Sequence, residues 1–88
     1  ELACRHGLLL IEDCAQAHGS GLDTPAGFKR AGTFGLASAF SFFPAKNLGA
    51  FGDAGAVATA DAELGARAAR LANHGREDKY RHLEEGYN

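Results

Sequence analysis

Apolar and polar positions along the chain fall into a few distinct patterns. Leu8-Leu9-Leu10-Ile11 is a continuous apolar run that ends in two acids, Glu12 and Asp13. A run without alternation suits a strand covered on both faces, as in a parallel sheet. From Ala37 to Phe43, small or polar residues mix with aromatics (Ser38, Phe40, Ser41, Phe42, Phe43), which predicts a second strand stopped by Pro44. Ala54 to Thr59 predicts a third strand, weakly apolar and closely packed. Between the first two, Ala15 to Ala31 holds Gly19, Gly21, Pro25 and Gly27 and reads as turns and loop. Gly49, Gly52 and Gly55 punctuate a tight loop ahead of the third strand.

A helix follows, with Asp61 as its N-cap and Gly75 just past its end. Leu64, Ala68, Leu71 and Ala72 share one face, and Glu63, Arg67 and Arg70 share the opposite one. Glu63 stands four residues before Arg67, the favoured order for an ion pair along a helix. After Gly75 the chain turns strongly polar (Arg76, Glu77, Asp78, Lys79, Arg81, Glu84, Glu85) and reads as a solvated tail. The order strand–loop–strand–loop–strand–helix predicts an α/β layer structure.

Composition narrows the function classes. At 88 residues the chain suffices for one small domain with thin stability. It begins at Glu1 and contains no Met, so it is expected to be a piece of a longer polypeptide. A net charge of -2 without a basic run argues against duplex nucleic acid as a partner. No apolar stretch approaches the roughly 20 residues of a membrane span. Cys4 and Cys14, with His6 and His18, match no common zinc spacing, and free, largely buried thiols in a cytoplasmic protein are expected.

Two residues carry candidate chemistry. Asp13 directly follows an apolar strand, and ligands of open α/β sheets bind beyond the carboxyl ends of strands. A lone Asp there more often serves as a turn or cap residue. Lys46 lies in Ser41-Phe-Phe-Pro-Ala-Lys-Asn-Leu-Gly49, where apolar neighbours would desolvate its amine, as a nucleophilic lysine requires. An ordinary surface lysine is the competing reading. Ser41 offers a hydroxyl to an anion five residues earlier. The glycines at 49, 52 and 55 form neither a dinucleotide fingerprint nor a P-loop. His18, His74 and His82 have no spacing that argues for a triad and read as packing or surface residues.

As a set, several stretches resemble the sugar aminotransferases of the DegT/DnrJ/EryC1/StrS family. They are Ile11-Glu-Asp-Cys-Ala-Gln-Ala-His-Gly19, Ser41 to Ala56, and Asn73-His-Gly-Arg76, with Lys79-Tyr80, His82 and Gly86-Tyr-Asn88 closing the chain. The loop from Ser20 to Thr33 matches less well.

The resemblance implies that residues 1–88 are part of the large domain of a fold-type I pyridoxal 5'-phosphate (PLP) transferase. That domain is a three-layer structure with a mostly parallel sheet and flanking helices. The N-terminal part of the domain and the small C-terminal domain would be missing, and the segment alone would be inactive. Lys46 would hold PLP as a Schiff base and shuttle a proton as general base and acid. Asp13 would pair with the pyridine nitrogen and keep it protonated, which makes the ring an electron sink. Gln16 would hydrogen-bond the ring hydroxyl, and Ser41 would bind the cofactor phosphate. Asn88 would reach the phosphate of the neighbouring subunit, which implies a homodimer with shared sites.

The implied reaction transfers an amino group from glutamate or glutamine to a nucleotide-linked keto sugar, in amino-sugar biosynthesis. A dehydratase branch of the family carries histidine in place of Lys46, so lysine points to transamination. Lys46-Asn-Leu-Gly-Ala-Phe-Gly-Asp-Ala-Gly55 looks closer to enzymes of 3-keto sugars, such as a 3-keto-6-deoxy sugar, than to the 4-keto branch. The alternatives are an aminohydroxybenzoate synthase-like member, a PLP-binding regulator, or an inactive structural α/β segment.

Overall fold

A computed structural model describes residues 1–87. The elements in chain order are α1 (Leu2–Arg5), β1 (Ile11–Asp13), β2 (Gly21–Thr24), β3 (Gly27–Arg30), β4 (Ala37–Ser41), β5 (Gly55–Ala58) and α2 (Ala62–Leu71). The principal sheet has the strand order β1-β4-β5. β1 runs parallel to β4, with Asp13 opposite Ala39, and β5 returns antiparallel, with Gly55 opposite Ser41. The α/β class agrees with the sequence, although one of the two pairings in this segment is antiparallel.

β1 begins three residues later than the apolar run suggests, because β4 offers ladder partners only from Ala37 onward. One bond precedes the ladder, from the Leu36 N–H to the Leu10 carbonyl at 2.8 Å. Leu8, Leu9 and Ile11 are all exposed in this chain. The two acids therefore lie inside the strand rather than after it, and Glu12 explains where β4 starts. Its carboxylate accepts the N–H groups of Gly32 (2.8 Å), Phe34 (2.7 Å) and Gly35 (2.8 Å). Those bonds tie down the connection that feeds β4. Burial alone would raise the Glu12 pKa, but the three N–H donors and the Lys29 charge outweigh it and hold the carboxyl below its ordinary value.

The span from Ala15 to Ala31 is not all loop. It contains the antiparallel hairpin β2–β3, closed at Pro25-Ala26, with Gly27 at φ 108°. Its strands are short, polar and largely exposed, so no apolar alternation marked them in the sequence. α1 is likewise a short element that the pattern did not announce.

α2 follows its sequence signals. The Asp61 carboxylate accepts the N–H groups of Glu63 and Leu64, each at 3.0 Å. Leu64, Ala68 and Leu71 are half-buried, and Ala72 is exposed. An open groove of about 560 Å³ lies between α2 (Gly65, Ala68, Ala72) and the strands (Ala39, Val57).

The expected Glu63–Arg67 pair is replaced. Arg67 Nε instead meets Glu84 at 3.0 Å, and Arg70 Nε meets the other Glu84 oxygen at 3.4 Å. Two cations on one half-buried carboxylate outcompete a single exposed pair one turn away.

Glu84 belongs to the stretch read as a solvated tail, and that reading is corrected. Residues after α2 fold back on it: Tyr87 N–H donates to the Leu71 carbonyl (2.7 Å) and His74 N–H to the Tyr87 carbonyl (2.8 Å). Gly75 is buried, with φ 68°. Arg76 bridges His82, whose Nδ1 lies 2.9 Å from the His74 carbonyl oxygen. Backbone pairing, rather than apolar burial, holds this segment, which is why a polar composition misled.

Among the described residues, the buried ones centre on Cys14, Ala37 and Ser38, where β1 meets β4. Cys14 fits the expectation of a buried thiol, whereas Cys4 is exposed on α1. Burial first, then the Glu12 and Asp13 charges, push the Cys14 thiol pKa up.

Candidate active site

Alternation along the strands sorts the candidates by face. Glu12 lies opposite Ser38, and both bond to Gly32: Glu12 accepts its N–H, and the Ser38 hydroxyl donates to its carbonyl at 3.1 Å. Asp13, Ala39 and Ser41 therefore occupy the other face. Because β1 and β4 are parallel, Asp13 and Ser41 share the carboxyl edge of the sheet as well as that face. Ser41 is two residues further along, about 6.6 Å at ordinary strand rise.

Each side chain at this edge is oriented by its own turn. One Asp13 oxygen accepts the Ala15 N–H at 3.0 Å, which fixes the carboxylate and leaves its second oxygen for a ligand. The Ala17 N–H to Cys14 carbonyl bond (3.1 Å) closes a turn that carries Gln16, exposed, directly beyond β1. Ser41 Oγ accepts the Phe43 N–H at 3.3 Å, so its hydroxyl proton remains available to an anion.

Lys46 sits in the loop that leaves the same edge. Its N–H donates to the Phe43 carbonyl at 2.8 Å, a turn with Pro44 in its second position, where a fixed φ is favoured. The loop is then folded back: Ala50 N–H bonds the Phe42 carbonyl (2.8 Å), and Gly49 packs so closely on Pro44 that a β-carbon would strike the Pro44 carbonyl. Lys46 is half-buried there. Asp13, Gln16, Ser41 and Lys46 thus gather at one sheet edge, while Asn88 lies outside the described residues.

An acid, an amide, a hydroxyl and an amine on short, pinned turns are a donor set that fits PLP. The acid suits a protonated ring nitrogen, the hydroxyl a phosphate, and the amine an aldehyde carbon.

His18 is a packing residue, as expected. Its ring is tilted against Phe40 (centroids 5.4 Å apart) and Phe42 (5.6 Å), and both ring nitrogens are buried without a partner among the described residues. Sequence reasoning misses Glu12, which anchors the loop that feeds β4, and Glu84, which anchors the segment after α2. The only signal for Glu12 was an acid inside a strand register that also serves a Gly-Thr-Phe-Gly loop; for Glu84 there was none.

The chain as a whole is similar to known proteins. Residues 1–88 match the sequence profile of the DegT/DnrJ/EryC1/StrS aminotransferase family. The chain is 50% identical, over its whole length, to dTDP-3-amino-3,4,6-trideoxy-alpha-D-glucose transaminase of Streptomyces venezuelae, of which it covers 22%. It is 52% identical, over 99% of its length, to UDP-N-acetyl-3-dehydro-alpha-D-glucosamine 3-aminotransferase of Acidithiobacillus ferrooxidans, again covering 22%. The crystal structure of S. venezuelae DesV in complex with a ketimine intermediate superposes with a TM-score of 0.87 at 50% identity, over 99% of this chain and 22% of that one. The chain thus spans about a fifth of the length of these relatives.

Proposed function

We propose that this chain, which belongs to the DegT/DnrJ/EryC1/StrS aminotransferase family, is part of the PLP-binding large domain of an enzyme that aminates a nucleotide-linked keto sugar. The amino donor is glutamate or glutamine. The observation that carries this reading is the grouping of Asp13, Gln16, Ser41 and Lys46 at one sheet edge of a chain half identical to sugar transaminases. The names of both relatives place the amine at the sugar's third carbon, which supports a 3-keto substrate.

When bound, PLP supplies an electron-accepting ring that lets the carbon bearing the migrating amine lose its proton. The chain's residues do the rest. Lys46 Nζ would hold the cofactor and would serve as the base and acid that moves the proton of the donor carbon. The free Asp13 oxygen keeps the ring nitrogen protonated, an opposite charge favouring the charged form. The Gln16 amide would hydrogen-bond the ring hydroxyl, and the Ser41 hydroxyl would donate to the phosphate. The family resemblance assigns the phosphate of a second copy's cofactor to Asn88, which lies outside the described residues, and on that reading the working unit would be a homodimer.

The test uses the full-length parent with PLP, L-glutamate and a panel of dTDP- and UDP-linked 3-keto and 4-keto sugars. The reading expects one 2-oxoglutarate released per amino sugar formed, with 3-keto sugars preferred. Glutamate consumption without any aminated sugar would overturn it in favour of another acceptor class.

A further inference from the structure

Two segments bring the proposed cofactor groups together. The turn after β1 carries Asp13 and Gln16, and the end of β4 with its loop carries Ser41 and Lys46. A backbone bond joins the segments from the Cys14 N–H to the Ala39 carbonyl at 2.8 Å, two residues short of Gln16 on one side and of Ser41 on the other. Beyond that point a side chain spans the gap. His18 follows the turn closed by the Ala17 N–H and the Cys14 carbonyl, and the Ser20 N–H to Ala17 carbonyl bond (3.1 Å) fixes it from the other side. Its ring rests against Phe40 and Phe42, the two residues that flank Ser41, with centroids 5.4 and 5.6 Å away.

Phe42 in turn closes the loop of Lys46. Its N–H donates to the Ala54 carbonyl and its carbonyl accepts the Ala50 N–H, each at 2.8 Å. One imidazole therefore touches both neighbours of Ser41, and one of those neighbours ties the lysine loop shut. Alternation puts Phe40 on the face away from Ser41, so His18 acts from behind the proposed site. Both its ring nitrogens are buried without a partner among the described residues. Unpaired burial of polar atoms is unfavourable, so ring packing and not hydrogen bonding holds the imidazole there.

From this arrangement we infer that His18 is a positioning residue that sets the distance between the Asp13–Gln16 turn and the Ser41–Lys46 loop, and with it the fit of the cofactor ring between them. The inference rests on the proposed function, and His18 itself touches no ligand.

In the full-length parent, PLP affinity is read as borohydride-trapped cofactor on the Lys46 peptide against PLP concentration, well below each variant's melting temperature. His18→Ala should trap PLP about three- to tenfold more weakly, the scale of one lost aromatic contact. His18→Phe, which keeps a flat ring, should trap as wild type does. In a Gln16→Ala background, His18→Ala should cost clearly less than it does alone, because the turn it aligns has already lost its contact with the ring. Phe42→Leu removes the same contact from its other side and is the second variant should His18→Ala not fold.

A merely structural histidine would lower the melting temperature and leave the trapping curve in place, which would overturn the inference. Losses that add in the Gln16→Ala background, or a His18→Phe variant as weak as His18→Ala, would overturn it too. Failure of the wild-type protein to trap PLP on Lys46 would instead overturn the function on which it rests.

Discussion

A β-carbon on Gly86 would fall on the amide nitrogen of Gly75, and one on Gly75 would meet the Glu84 carbonyl. Two stretches eleven residues apart in the chain are thereby one structural unit. Gly75 also holds a left-handed φ of 68°, where a side chain is strained even with room around it.

Gly86→Ala should therefore destabilise the full-length parent by about 1–3 kcal/mol, the usual cost of forcing atoms into a closed contact. Gly52→Ala, where a β-carbon meets nothing within 4 Å and φ is not left-handed, should change stability far less. Paired thermal melts of the two variants check this. Equal melting temperatures would show that the crossing is not tight.

Glu12 makes a prediction about pH. Its pKa is held below the ordinary 4.5 in the folded chain, chiefly by N–H donors once burial is offset. A carboxyl whose pKa falls on folding adds stability that is present above its unfolded pKa. That stability is lost as pH drops through the folded value. Wild type should thus lose more stability than Glu12→Gln between neutral pH and the region below 4.5, and the two curves should converge in acid. Urea midpoints across that range measure it. Parallel curves would mean that the three bonds to Gly32, Phe34 and Gly35 do not depend on the charge.

Asp13→Asn separates chemistry from folding. An asparagine side-chain oxygen can still accept the Ala15 N–H, so the turn should survive and the melting temperature should hold. The charge proposed to face the cofactor's ring nitrogen is lost, and a neighbouring charge of this kind is worth about one to three pKa units. Turnover of the full-length parent should fall by about ten- to a thousandfold, following those units. An active Asp13→Asn enzyme would remove Asp13 from its assigned role.

Features fixed by local rules were legible in the sequence. Asp61 caps α2 because its carboxylate needs only the next two or three N–H groups, whereas β4 ends at Ser41, two residues short of the Phe43 end expected from Pro44. The strand around Phe40 and the third strand were readable to within two residues at each end. Features fixed by distant partners were not. β1 slid toward its acids because Ala37, far along the chain, sets the register. Arg67 left Glu63 for Glu84, and the polar segment after Gly75 was ordered by backbone bonds that leave no compositional trace. At the site, Asp13 and Lys46 stood out only because neighbouring residues formed a family pattern. Their common edge became visible only through the parallel pairing of β1 and β4.

The central claim is that Lys46 is the amine that carries the cofactor. Full-length parent loaded with PLP is reduced with borohydride, and the modified lysine is mapped by mass spectrometry. Lys29, whose ammonium lies 4.7 Å from the Phe34 ring centre, and Lys79, 5.3 Å from that of Tyr80, serve as internal controls. The account predicts labelling at Lys46, sparing Lys29 and Lys79 and abolished by Lys46→Ala. Equal labelling of all three lysines, or none of Lys46, would contradict it.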